Sequence, residues 1–181
     1  MPKFVAFLRA INVGGHLVKM DQLRALFEEL RFSNVETFIA SGNVIFDSKT
    51  TNTKTLESKI EKHLHNALGY EVTAFVRTTT ELTAIAAHKP FSEEELQTEG
   101  NTLFIVFVAE KPAKSVVEKL ESLGSEIDVF HVHEREIYWL YRSNQGEMKY
   151  YGGLLEKNVG MQATVRNGNT IRRLVTKYCK K

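Results

Sequence analysis

Apolar residues occur along this chain either in unbroken runs or at helical spacing. These two patterns predict the strands and helices of the fold. Phe4–Leu8 is apolar at every position, which predicts a central strand over residues 3–9, buried on both faces. A stripe of apolar residues at helical spacing then predicts a helix over residues 20–31. The same rules predict strands over 35–40 and 44–47, a helix over 53–68, a strand over 71–77 and a short helix over 80–88.

The pattern restarts after a polar, proline-containing stretch. The second series comprises a strand over 103–109, a helix opening at Pro112, strands over 127–132 and 137–141, a helix over 148–157, a strand over 162–166 and a helix over 170–177. The order β-α-β-β-α-β therefore occurs twice. It predicts an α+β protein of two tandem ferredoxin-like halves (split β-α-β, βαββαβ) with antiparallel sheets and an extra C-terminal helix. Residues 1–88 would form the first half with its linker helix, 89–101 a linker loop, and 102–181 the second half.

The composition of the chain limits the classes of protein to which it can belong. The 181 residues are 43% hydrophobic and 25% charged, which is typical of a folded domain, and the net charge of +2 does not demand nucleic acid. The single cysteine, Cys179, excludes an internal disulfide and favours a cytoplasmic protein. No apolar run approaches the roughly 18 residues of a membrane-spanning helix, so no membrane association is expected.

Two polar loops are predicted to converge on one edge of the first sheet. In a split βαβ unit, the first two strands run parallel with the third strand between them. The end of strand one then lies beside the turn that joins strands two and three. This edge would gather Arg9, Asn12, Gly14 and Gly15 with Ser41, Gly42 and Asn43. An arginine fork, glycine amides and neutral side-chain donors suit an anion or a planar polar group, although the same residues also brace turns.

Other arginines mark further candidate positions. Arg77 ends strand four at the opposite edge of the sheet, so this topology does not bring it to the converging loops. In the second half, Asn169 or Thr170 is predicted to cap the last helix. Beside that helix N-terminus, the candidate anion ligands are Arg166, Asn167, Asn169 and Thr170.

Most catalytic and cofactor motifs are missing. The dinucleotide and phosphate-loop patterns are absent, so no cofactor is predicted, and no nucleophile or general base stands out from spacing. His131 and His133 share a strand face but have no acidic or cysteine partner for a metal site. Tyr138, Trp139 and Tyr141 could stack bases as RNA-recognition modules do, but packing inside the protein explains them better.

Several of these blocks together resemble the bacterial DUF1697 family. They are Leu8-Arg9-x-Ile11-Asn12-Val13-Gly14-Gly15, Ser41-Gly42-Asn43-Val44-x-Phe46, Arg77-Thr78 with Glu81-Leu82, Pro90-Phe91, and Ala163-Thr164-x-Arg166-Asn167-x-Asn169-Thr170. The chain departs from the family pattern at Ala10, Ala40, Lys89 and Gly168. The resemblance implies a cytosolic protein of two ferredoxin-like halves, in a family without an established activity.

Three functions stay open at this point. The first is binding of a small anionic ligand, phosphate-like or nucleotide-like, at the edge that holds Arg9 and Ser41. The second is binding of RNA or single-stranded nucleic acid, whose affinity would fall steeply with salt. The third is a protein-interaction or structural role in which the polar loops only brace turns.

Overall fold

A computed structural model describes residues 1–12, 14–39, 42–150 and 153–180 of the chain. It divides into two compact units. The first comprises residues 1–83 and 177–181, and the second comprises residues 84–176. In the part of the chain that the structure describes, no helix has the length and apolar character to cross a bilayer.

The first unit contains one four-stranded sheet with helices. Its elements are β1 (Lys3–Arg9), α1 (Met20–Glu28), β2 (Ser33–Thr37), β3 (Asn43–Asp47), α2 (Thr53–Leu68) and β4 (Thr73–Thr78), followed by α3 (Thr79–Ala87), which continues into the second unit. The strands lie in the order β2-β3-β1-β4, and every neighbouring pair is antiparallel. β1 is central and its residues 4–8 are buried, as the unbroken apolar run predicts.

Local sequence features explain the packing of α1 and the limits of α2. α1 buries Leu23, Leu26 and Phe27 on one stripe. The side chain of Asn52 accepts a hydrogen bond from the Thr55 amide at the start of α2, and Gly69 ends that helix with φ 82°. Glycine adopts this left-handed conformation at little cost, so the helix stops where the sequence predicts.

The second unit repeats the arrangement. Its elements are α4 (Glu93–Gln97), β5 (Asn101–Val108), α5 (Lys114–Ser122), β6 (Asp128–His133), β7 (Glu136–Arg142), α6 (Gly153–Val159), β8 (Ala163–Asn167) and α7 (Gly168–Tyr178), whose last residues belong to the first unit. The strand order is β6-β7-β5-β8, again with antiparallel neighbours. The predicted α+β fold of two ferredoxin-like halves is therefore confirmed.

The pairing registers relate the two halves residue by residue. Phe4 lies opposite Phe46 and Thr78, and Phe104 lies opposite Trp139 and Asn167. Residues 4–8 thereby correspond to residues 104–108, a similarity that the sequence pattern alone did not reveal.

Two local predictions are wrong. The stretch predicted as a linker loop over 89–101 contains α4, because Ser92 and Glu95 form a capping box that starts a helix. The N-cap predicted at Asn169 or Thr170 is also wrong, because α7 begins at Gly168 directly after β8. The side chain of Asn167 accepts a hydrogen bond from the Asn169 amide at 2.9 Å, which is the interaction of an N-cap residue.

Candidate functional site

The carboxyl end of β1 leads into a loop with unusual backbone conformation. Leu8 is buried, Arg9 is half-buried, and Ala10 follows with φ 66°. The next described residues with positive φ are Gly14 and Gly15, and both are exposed. A non-glycine residue in the left-handed region is uncommon and is most often found where the surrounding structure imposes it.

Three contacts hold this loop in place. The Val18 amide donates to Asn12 Oδ1 at 2.9 Å, the Tyr70 hydroxyl donates to the Ile11 carbonyl at 2.7 Å, and the His16 ring stacks on Tyr70 with centroids 4.1 Å apart. Desolvation raises the pKa of Tyr70, so its hydroxyl stays a donor at neutral pH. The exposed glycines therefore belong to a loop that is anchored on both sides.

The loop between β2 and β3 meets this one, as the topology predicts. The Leu8 amide donates to the Gly42 carbonyl at 2.8 Å. Gly42 has φ 87°, and a Cβ atom there would lie 3.0 Å from Leu8 Cβ and 3.3 Å from Ile11 Cγ2, so this contact requires glycine. We call Arg9, Asn12, Gly14, Gly15 and Gly42 the polar edge. Ser41 was predicted to join them, and it lies outside the described residues.

Asn43 and Asn12 have structural partners at this edge. Asn43 is 2% exposed, and its Nδ2 donates to the Phe38 carbonyl at 3.0 Å. Asn12 is exposed, although its Oδ1 accepts the Val18 amide. Asn43 therefore braces the turn, whereas Asn12 and the two glycines are exposed and Arg9 is half-buried.

Arg77 lies away from the polar edge. Val5 pairs with Arg77 and Arg9 pairs with Thr73, so Arg77 is near the far end of the sheet. Its side chain has no exposed surface, and its Nη1 donates to the Val76 carbonyl at 3.1 Å. This burial leaves no surface on which Arg77 could receive a ligand from solution.

The remaining predicted site residues lie in the second unit, where β8 meets α7. Arg166 Nη1 donates to Thr164 Oγ1 at 2.8 Å and to the Val165 carbonyl at 3.0 Å. Asn167 and Asn169 are exposed, and Thr170 is half-buried. Asn169 also accepts a hydrogen bond from Arg172, the next turn of α7.

The second unit contains a cavity that the sequence pattern does not predict. Its volume is ≈ 290 Å³, and residues of the 85–105 segment, Tyr138 and the first turn of α7 line it. The polar, proline-containing stretch over 89–101 indicated only a linker or surface loop, so nothing in the sequence pointed to a cavity there.

Three histidines stack beside that cavity. The His88 ring lies 3.8 Å from the His133 ring and 5.4 Å from the His131 ring, measured between centroids. The alternation of His131 and His133 placed both on one strand face, but nothing in the sequence indicated His88. Desolvation, then the neighbouring His133 and His131, lowers the pKa of His88. Among the described residues, no group of three or more histidines, cysteines or acids is arranged to hold a metal ion.

Two of the three aromatic residues considered for RNA binding are inside the protein, and the third, Tyr141, is half-buried with its hydroxyl donating to the Gly146 carbonyl at 2.9 Å. Tyr138 is 1% exposed and donates to the Ile85 carbonyl at 2.8 Å, and Trp139 is fully buried with its Nε1 donating to Asp128 Oδ1 at 2.7 Å. Base stacking needs an exposed ring face, which neither residue offers.

Comparison with known proteins gives a family and a fold. The profile of DUF1697, described as a protein of unknown function, matches residues 1–138. The solved structure of conserved bacterial protein SP0830 from Streptococcus pneumoniae is similar, with a TM-score of 0.77, 21% identity and 97% of each chain covered. No curated protein matches the sequence. The structural similarity, at this identity, supports the fold alone.

Proposed function

The chain belongs to the DUF1697 family of proteins of unknown function, and we propose that it binds a small anionic ligand, phosphate-like or nucleotide-like, at the polar edge. The observation that carries this proposal is the meeting of two separately encoded loops beside Arg9. The Leu8–Gly42 hydrogen bond and the close approach of Gly42 join them.

The polar edge has the chemistry of an anion site. A guanidinium offers two parallel donors to a phosphate or a carboxylate, and successive backbone amides in a turn can form a concave donor surface. Gly14 and Gly15 have φ 67° and 82°, and no atom lies within 4 Å of the position of a Gly15 Cβ. A ligand therefore has room to approach the backbone there.

Backbone strain at the same edge supports a functional role. Ala10 and Ile39 both have positive φ, at 66° and 52°, and Ile39 is β-branched. Such conformations cost on the order of 1–3 kcal/mol each and cluster at binding sites. Stability alone would favour glycine or asparagine at these two positions.

Exposed apolar side chains favour a ligand that is more than a bare phosphate. Leu17 in the first loop is 76% exposed and Ile39 in the second is 38% exposed. An apolar side chain on each loop would pack against a sugar or a base while Arg9 holds the charged group. This is the basis for the nucleotide-like part of the proposal.

Inorganic pyrophosphate and ADP are suitable probes, measured by isothermal titration calorimetry on the full chain. Replacing Arg9 with glutamine removes a charged hydrogen-bond donor and should weaken binding about 10-fold to 100-fold. Arg31→Gln is the matched control, since Arg31 is an exposed arginine that follows the other end of α1. Equal affinity in the two variants, or no binding of either probe to the unaltered chain, would contradict the proposal.

A further inference from the structure

The second unit contains a cavity that belongs to a different part of the chain from the polar edge. We propose that this cavity binds a small monocarboxylate with an apolar body, such as an aryl or branched-chain acid. Its volume of ≈ 290 Å³ is near the lower end of the range of about 300–1,000 Å³ for small-molecule sites. It therefore suits a compact ligand.

Buried apolar side chains form one part of the cavity wall. Ile85, at the end of α3, is 5% exposed, Phe91 is 8% exposed, and Ile105 of β5 is 2% exposed. Leu103 lines the cavity beside Gly168, where a Cβ atom would lie 3.2 Å from the Leu103 carbonyl oxygen. A side chain at residue 168 would crowd this wall, so the glycine keeps the cavity open at the start of α7.

The charged residues around the cavity leave one positive charge in excess. Lys89 pairs with Glu93 at 2.7 Å, and Arg172 of α7 also lines the cavity. The hydrogen bond and the charge of Lys89, with a smaller contribution from Arg172, lower the pKa of Glu93, so this carboxylate is ionised at neutral pH. Two cations and one anion attract a monocarboxylate, whereas Glu93 would repel the second charge of a phosphate dianion.

The first turn of α7 orients the cationic group. Asn167 caps the helix through the Asn169 amide, and Asn169 Oδ1 accepts a hydrogen bond from Arg172 Nη2. This chain of contacts holds the guanidinium beside the N-terminus of an 11-residue helix. The helix dipole adds to the attraction for an anion at that position.

His88 contributes a polar ring atom to the cavity, and a ligand would form a hydrogen bond with it. His88 lines the cavity, and its Nε2 is buried and has no hydrogen-bond partner among the described residues. A buried polar atom without a partner is costly. A polar atom of the ligand at Nε2 would remove that cost.

Phenylacetate and the uncharged phenylacetamide are matched probes for an amide NMR titration of the full chain. Phenylacetate should shift the amide signals of Phe91, Gly168 and Asn169, and phenylacetamide should bind about 10-fold to 100-fold more weakly because it lacks the charge. Arg172→Gln should weaken phenylacetate binding by a similar factor. Arg173→Gln, an exposed neighbour outside the lining, should leave it unchanged.

The outcomes separate this site from the polar edge. Arg9→Gln should not alter phenylacetate binding, and Leu103→Phe, which fills the cavity without changing its charge, should reduce it. The proposal is overturned if phenylacetate shifts no signal in this region, if phenylacetamide binds equally well, or if both arginine variants behave alike. Preferential binding of inorganic phosphate at these amides would also overturn it.

Discussion

The two halves of this protein share one fold but differ at the carboxyl end of their first strand. In the first half, β1 ends in Arg9, and the connections to α1 and between β2 and β3 span residues 10–19 and 38–42. In the second half, Ala109 corresponds to Arg9, and the equivalent connections span residues 109–113 and 134–135. The Val108 amide donates to the Arg135 carbonyl at 3.2 Å, just as Leu8 donates to Gly42.

The comparison shows what the fold requires and what it does not. Both halves close this edge with the same backbone hydrogen bond, so short connections are sufficient for folding. The arginine, the glycine pair and the longer loops of the first half are additions to that common framework. Binding sites are commonly built from loop residues that the fold itself does not require, and these additions lie on anchored loops.

The largest losses of stability are expected where the two halves pack most alike. Phe46 and Trp139 occupy equivalent positions, and both are fully buried. Replacing either residue with alanine should cost about 3–5 kcal/mol of unfolding free energy. Trp139→Ala should cost more, since it also leaves the buried Asp128 carboxylate without the indole donor. That loss adds about 1–3 kcal/mol.

Urea denaturation followed by circular dichroism measures both losses. Trp139→Phe combined with Asp128→Ala removes both partners of the hydrogen bond, and this double variant should recover part of the stability lost in Trp139→Phe. If the Phe46→Ala and Trp139→Ala variants lost equal free energy of unfolding, the hydrogen bond between the Trp139 indole and the Asp128 carboxylate would make no net contribution to stability.

Smaller losses of stability are expected at the arginines near the ends of β4 and β8. Arg77 pairs with Val5 and Arg166 pairs with Ile105, so the two side chains are equivalent, and each donates to the carbonyl of the preceding valine. Arg77 is fully buried, so Arg77→Ala should open a cavity and cost about 2–5 kcal/mol. Arg166→Ala should cost only about 1 kcal/mol, because that side chain is half-buried. Chemical denaturation of the two variants tests the ranking, and a reversed order would show that burial does not decide it.

The smallest effect is a difference in pH dependence between the halves. His88 corresponds to Lys177, counted from the first residues of α3 and α7. The pKa of His88 in the folded chain is below its ordinary value of 6.5. Between these two pKa values, the unfolded chain therefore binds a proton at His88 that the folded chain does not bind. The free energy of unfolding should therefore fall as the pH drops through 6.5 towards the lowered pKa.

His88→Phe should flatten this dependence between about pH 7.5 and about pH 5.5, measured by urea denaturation. Lys177→Gln is the control at the corresponding position of the other half. The pKa of Lys177 is raised, first by its hydrogen bond to Tyr178, so that amine stays charged throughout the range. An unchanged slope in His88→Phe would show that His88 does not take up a proton on unfolding.

The sequence predicted the fold and the polar edge well for a physical reason. Buried central strands such as residues 4–8 are unbroken apolar runs, and the handedness of the crossover determines which loops share an edge. The helix cap at Asn167 was missed because β8 and α7 adjoin without a loop, which moves the helix start two residues earlier than Thr170. The bracing role of Asn43 depends on the position of the Phe38 carbonyl, which spacing does not reveal.

Two features could not be predicted from the hydrophobic pattern of the sequence: the residue-by-residue correspondence of the two halves, and the cavity. Residues 4–8 and 104–108 differ by exchanges such as Val5 for Ile105 and Ala6 for Val106. These exchanges preserve burial but not identity, and only the pairing register aligns them. The cavity depends on how the 85–105 segment packs near the start of α7, and that packing is not encoded in local periodicity.

An amide NMR titration of the full chain with inorganic pyrophosphate tests the binding role of the polar edge most directly. Signal shifts are expected only at Gly14, Gly15 and their neighbours, with two positive-φ glycines elsewhere in the chain, Gly69 and Gly160, unchanged. Shifts at all four glycines alike, or at neither Gly14 nor Gly15, would contradict it.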